Sequence, residues 1–96
     1  MATIIFGDFE WDSDKAEANR AKHGVTFEEA TTVFMDLDYE VVGDPKNPER
    51  LIALGYSSLA RMLFVVHCER GERVGIVSAR KASRTERNSY EIRRRS

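Results

Sequence analysis

The residues best suited to chemistry sit together in Ser78-Ala79-Arg80-Lys81-Ala82-Ser83-Arg84. A strand-forming run ends there, and Ser83-Arg84-Thr85-Glu86 has the form of a capping box that opens a helix. A helix N-terminus presents backbone N–H groups without helical partners and about half a positive charge, so it attracts anions. Arg80, Lys81 and Arg84 add side-chain cations to that junction, and an arginine can hold a phosphate with two parallel hydrogen bonds. Alternation along the strand puts Ser78 and Arg80 on one face. The same residues suit a structural ion pair between Arg80 and a carboxylate of the acidic N-terminal part.

A second group follows from strand spacing. Arg61 opens the apolar run that reaches Cys68, and a period of two puts Arg61, Leu63, Val65 and His67 on one face. An arginine and a histidine on one face are the minimum for stabilising a charged transition state and moving a proton. Among such neighbours His67 also reads as a core histidine with one nitrogen satisfied. Lys15, Asn19, Lys22 and His23 form a polar stripe on a helix, where His23 is either a solvated residue at the helix end or a proton carrier. Trp11 is expected as a core anchor, with stacking on a base as the alternative, and Cys68 as a buried, inert thiol, with a nucleophile as the alternative. One cysteine excludes an internal disulfide framework and a multi-cysteine zinc site. Two histidines without an HExxH pattern, and the lack of GxGxxG, GxxxxGK[ST] and GxSxG, leave metal, nucleotide cofactor and serine nucleophile unsupported. Neither a metal nor a cofactor is expected, and Asp36, Asp38 and Asp44 read as solvated loop residues.

The elements that must hold these groups form a single domain over residues 1–96, since 96 residues build one modest core. A content of 42% hydrophobic and 32% charged residues is that of a globular chain. Thr3–Phe9 reads as one strand. Asp12 or Ser13 caps a helix through about Lys22, ended by His23-Gly24. Thr26-Phe27-Glu28-Glu29, a capping box, starts a second helix reaching about Met35, with Phe27, Ala30, Val33 and Phe34 as its apolar stripe. Residues 39–43, 51–56, 61–68 and 73–79 read as strands with short connections, hence antiparallel neighbours. Met62–Val66 is apolar on both faces and reads as a central strand covered on both sides. A last helix runs to about Arg94, with Arg93–Ser96 as a frayed tail. The order β-α-α-β-β-β-β-α gives an α+β fold, a mostly antiparallel sheet with an N-terminal helical hairpin and a C-terminal helix.

The net charge of −1 conceals a division. Residues 1–72 hold seven Lys and Arg against fourteen Asp and Glu, a net of −7, and residues 73–96 hold eight against two, a net of +6. Such asymmetry points to a nucleic acid, a membrane or an acidic partner, with a solvated basic helix as the plain alternative. No apolar run approaches the ~20 residues of a membrane span, and no signal-peptide pattern opens the chain. A cytoplasmic protein without a membrane partner is expected.

Larger motifs carry a resemblance. Phe9-Glu10-Trp11-Asp12, Lys15, Asn19, Lys22-His23-Gly24-Val25 and Phe27-Glu28-Glu29-Ala30 resemble the N-terminal signature of the BrnT toxin family. Glu49-Arg50, Gly55, Arg61, Glu69-Arg70-Gly71, Ser78-Ala79-Arg80-Lys81-Ala82, Glu86-Arg87 and Tyr90-Glu91 continue it over residues 9–91. The resemblance implies a RelE-like fold and the toxin of a type II toxin–antitoxin system. It further implies a metal-independent endoribonuclease, neutralised by a DNA-binding antitoxin of the BrnA type, with a homodimer or a 2:2 complex as the expected assemblies. It also implies Lys22, His23, Arg61, Ser78, Arg80 and Lys81 as the residues that bear on toxicity, with Arg84 and Arg87 contacting RNA. The chain departs from the pattern at Gly75, where the family carries a basic residue; a glycine there suggests a bulge or a close approach. A non-catalytic RNA- or protein-binding module of the same fold is the alternative.

Overall fold

Apolar, β-branched and aromatic residues make the first strand, and Gly7 turns it back. In the computed structural model, which describes residues 2–95, Thr3–Phe6 (β1) and Phe9–Asp12 (β2) form an antiparallel hairpin. The single strand expected over Thr3–Phe9 is therefore two. Gly7 takes φ +60°, and Gly-Asp between apolar flanks is a two-residue hairpin turn. Asp12 ends β2 and caps α1 (Ser13–His23), accepting from the Asp14 N–H at 2.9 Å. Gly24 closes α1 in the left-handed region, φ +68°, and donates to the Arg20 carbonyl. Thr26 caps α2 (Phe27–Thr31), and a turn of 3-10 helix, Thr32–Met35, follows.

Glu40–Gly43 (β3), Leu51–Tyr56 (β4), Met62–Arg70 (β5) and Arg73–Lys81 (β6) pair antiparallel in succession, as their short connections require. β2 lies parallel to the outer side of β6, Phe9 opposite Val74, so the sheet order is β1-β2-β6-β5-β4-β3. The fold is α+β and mostly antiparallel, with one more N-terminal strand than the expected order held. α3 (Arg84–Arg95) closes it. Arg93 and Arg94 are no frayed tail: they lie in α3, where Arg93 donates to Glu40 at 2.8 Å and Arg94 pairs with Asp38 at 3.0 Å. Ser96 lies outside the described residues.

Both faces of the sheet are used. α1 and α2 cover the face of Ala53, Leu63, Val65 and Ala79, which joins Phe27, Ala30 and Val33 in one core. Trp11 is buried there, edge-on to Phe27, as a core anchor should be. α3 crosses the other face, its Tyr90 fully buried and edge-on to Tyr56. Asp36 fastens this side, accepting from the Tyr56 N–H and the Tyr90 hydroxyl, both at 2.8 Å. Burial opposes the Asp36 charge, but these bonds and the Asp38 N–H more than offset it and hold the carboxyl below its usual range. Gly55 leaves room for this joint, since a Cβ there would stand 3.1 Å from the Asp36 carboxylate. Met62–Val66 of β5 is thus covered on both sides. Among the described residues no helix is long and apolar enough to cross a membrane.

Asn19 links the helical layer to the sheet. Its side chain donates to the carbonyls of Val25 and Ala79 at 3.0 and 2.8 Å, and accepts from the Ala79 N–H at 3.1 Å. Replacing it with Ala leaves buried backbone groups of β6 and the Val25 loop unpaired. Asn19→Ala should therefore lose about 2–3 kcal/mol, read as a lower urea midpoint at unchanged slope; an unchanged midpoint would show the link to be idle.

His67 belongs to the core, edge-on to Phe34 at 5.0 Å, and its Nε2 has no hydrogen-bond partner among the described residues. Burial pushes its pKa below the ordinary 6.5. The unfolded chain then binds more protons than the folded one as pH falls below about 6.5, so this contribution is complete above that pH and is lost below it. Melting temperature should hold level from pH 8 to 7 and fall towards pH 5, and His67→Leu should flatten that decline. An equally steep decline in the variant would assign it to other groups.

Candidate functional site

The groups expected to do chemistry divide between the two faces of the sheet. On the α1–α2 side, Gly24 ends α1 and leaves Lys22 exposed and His23 half-buried in its last turn. Arg61, entering β5, donates from Nη2 to the Gly24 carbonyl at 3.1 Å, which ties the helix end to the start of the strand. Lys81 ends β6 on this same face, opposite Leu63, and is exposed. Lys22, His23, Arg61 and Lys81 therefore share one rim of the molecule.

Glu29 sits behind that rim, buried to 7% exposure. It accepts from Arg61 Nε at 3.0 Å, from Arg61 Nη2, and from the Ser57 hydroxyl at 2.6 Å. The Arg61 guanidinium holds the Glu29 carboxyl below its usual range against the cost of burial, with help from Ser57 and the charge of Lys81. Thr26 still caps α2 by accepting the Glu29 N–H, yet the Glu29 carboxylate turns to Arg61 and Ser57 instead of completing the capping box. Much of the positive charge of Arg61 is thereby matched inside the protein.

Ser78 and Arg80 point to the opposite, α3-covered face, on one face together as the strand period requires. Arg80 grips Glu86 with two bonds of 2.9 Å and lies 3.8 Å over the Phe64 ring. The ion pair weighed for Arg80 exists, but its carboxylate comes from α3 and not from the acidic N-terminal part. Glu86 also accepts from the Ser83 N–H at 2.7 Å while Ser83 accepts the Glu86 N–H at 3.1 Å, so this capping box is complete. The Arg80 guanidinium holds the Glu86 carboxyl below its usual range, against burial and with the Ser83 bond. Arg84 and Arg87 stand exposed on the first turns of α3.

Gly75 also has a structural account. A Cβ there would lie 2.7 Å from Arg70 Cγ, so the Arg70 side chain occupies the room that a side chain at 75 needs. Arg70 Nε bonds the Cys68 sulfur at 3.2 Å, and Cys68 is half-buried instead of buried, its sulfur facing the exposed Arg70 side chain at the end of β5. The bulge suggested for Gly75 lies close by: the register shifts after Val66, which faces Ser78 while His67 faces Ile76. His67 takes no part in either group. Asn19, Glu29 and Asp36 escape sequence reasoning as joints, although Asn19 and Glu29 stand inside the motifs quoted above; Asp36, expected as a solvated loop residue, is instead half-buried beneath the bonds it accepts from Tyr56 and Tyr90. Among the described residues no three of His, Cys, Asp and Glu come together as a metal set.

Comparison with known proteins adds an identity to this geometry. The family model described as "Ribonuclease toxin, BrnT, of type II toxin-antitoxin system" matches residues 11–86. The crystal structure of the ribonuclease toxin BrnT of Brucella abortus superposes with a TM-score of 0.63 at 28% identity, over 77% of this chain and 94% of that one. The search of curated proteins found no match. The matched span runs from Trp11 through both groups to Glu86, and on it the chain belongs to the BrnT family of type II toxin–antitoxin ribonuclease toxins.

Proposed function

We propose that the chain cuts RNA through the RNA's own 2′-OH without a metal, and that its reacting centre is the rim where α1 ends beside β5 and β6. The bond from Arg61 to the Gly24 carbonyl carries this assignment, because it holds Lys22 and His23 next to Arg61 on the face where Lys81 emerges. Such cleavage needs a group to take the 2′-OH proton, cations for the phosphorane charge and a donor to the leaving 5′-oxygen. His23 moves the proton with Lys22 beside it, and Lys81 and Arg61 face the phosphate. Across the sheet, Arg80 holds the N-terminus of α3, and Ser78, Arg84 and Arg87 belong to an RNA-binding side. The mostly antiparallel sheet with its helical hairpin supports a RelE-like fold. A cytoplasmic location and a DNA-binding antitoxin of the BrnA type, in a homodimeric or 2:2 assembly, complete the proposal.

One observation favours a non-catalytic binding module: Arg61 and Arg80 are both already paired with carboxylates. Single-turnover incubation with RNA in EDTA separates the two. Cutting that persists in EDTA and slows by about 10²–10⁴-fold in a folded His23→Ala variant is the expected outcome. Retarded but intact RNA would leave only the binder, and cutting restored by magnesium would overturn metal independence. Arg80→Ala should lower RNA affinity and thermal stability together, since it frees the half-buried Glu86; loss of affinity at full stability would place Arg80 on the RNA itself.

A further inference from the structure

Edge strands usually carry charge, proline or a bulge that blocks pairing with another chain. β1 carries none of these. Thr3-Ile4-Ile5-Phe6 is uncharged, all four residues are exposed, and among the described residues the strand pairs only with β2. The opposite edge is managed: Glu40 of β3 is held by Arg93 of α3, and the strand runs straight into Asp44-Pro45.

An apolar groove accompanies the open edge. Ile4 pairs with Trp11 and Phe6 with Phe9, so both point to the helix-covered side of the sheet. Two adjoining open clefts, about 350 and 550 Å³, lie along β1 beside α2 and the 3-10 turn. Ile4, Trp11 and Phe27 line the first, and Phe6, Phe34 and Met35 the second. Met35 is 80% exposed, an apolar side chain left largely open by the described residues. Among the described residues the charges at the rim are Asp8, Glu17 and Glu28 with a single cation, Arg20, which is held by Glu17. A second copy would set this acidic rim against itself, whereas a chain with apolar residues alternating with Lys or Arg meets both the floor and the rim.

We infer that β1 and its groove are the docking surface for the antitoxin partner, taken by an apolar and basic segment added as a strand along β1. The inference rests on the toxin–antitoxin assignment, not on the ribonuclease mechanism. Its test uses the full chain and the protein encoded by the adjoining reading frame, with binding titrated between the purified proteins. Ile5→Lys and Met35→Lys, both at exposed positions, should each weaken binding by about tenfold or more. RNA cleavage and melting temperature should stay at wild-type values. Val42→Lys, on the β3 edge, should bind as wild type does. Wild-type affinity in the two β1-side variants, or failure of the wild-type chain to bind, would overturn the inference. So would a dimer in sedimentation that Ile5→Lys abolishes while partner binding persists, since the β1 edge then belongs to a second copy. Loss of all RNA cleavage alongside the expected binding pattern would remove the ribonuclease proposal and leave the docking surface standing.

Discussion

A carboxamide donates and accepts at once, and Asn19 uses both abilities on the backbone of a single residue, Ala79. That pairing imitates one rung of a β-ladder, made between a helix and a strand. It fixes the depth and rotation of α1 against β6 at the strand segment flanked by Ser78 and Arg80. The third bond, to the Val25 carbonyl, sets the chain just past the helix end. The last turn of α1 then has little freedom, and Gly24 arrives where Arg61 can reach its carbonyl. Any chemistry on that rim depends on this amide before it depends on a charged group.

The cations fall into two kinds. Arg61 and Arg80 each clasp a carboxylate that is buried or partly buried, and they act chiefly on the protein: one anchors the loop of Ser57 and the end of α1, the other the start of α3. Lys22, Lys81, Arg84 and Arg87 are exposed, stand in no ion pair among the described residues, and can meet an anion directly. The planar fork of arginine suits the first task, and the mobile ammonium of lysine suits the second. The division also explains how a chain of net charge −1 can meet RNA, because its acidic residues lie largely along the first 72 positions while α3 is basic.

Local chemistry was readable from the sequence. The caps at Asp12, Thr26 and Ser83 and the stop at Gly24 depend on residues within a few positions of each other, and the strands from 40 to 81 declare themselves by composition and short turns. The hairpin at Gly7-Asp8 was written there as well, but apolar residues on both sides of it read as one continuous strand. What stayed hidden is long-range. Asn19 meets Ala79 across 60 positions and Arg61 meets Glu29 across 32, and a polar residue in a motif does not announce which distant backbone group it serves. The same blindness put the partner of Arg80 in the acidic part when it stood six residues away in α3. The sharing of one rim by Lys22 and Lys81 likewise follows from the sheet register and from Asn19, neither of which a spacing rule contains.

Gly75 and Arg70 divide a single volume between them. The two positions are therefore exchangeable only as a pair: a long side chain at 75 requires a short or displaced one at 70, and the reverse. Here that volume goes to Arg70, whose guanidinium lies at the end of β5 against the Cys68 sulfur, so a larger residue at 75 would push it off the sulfur and away from the sheet.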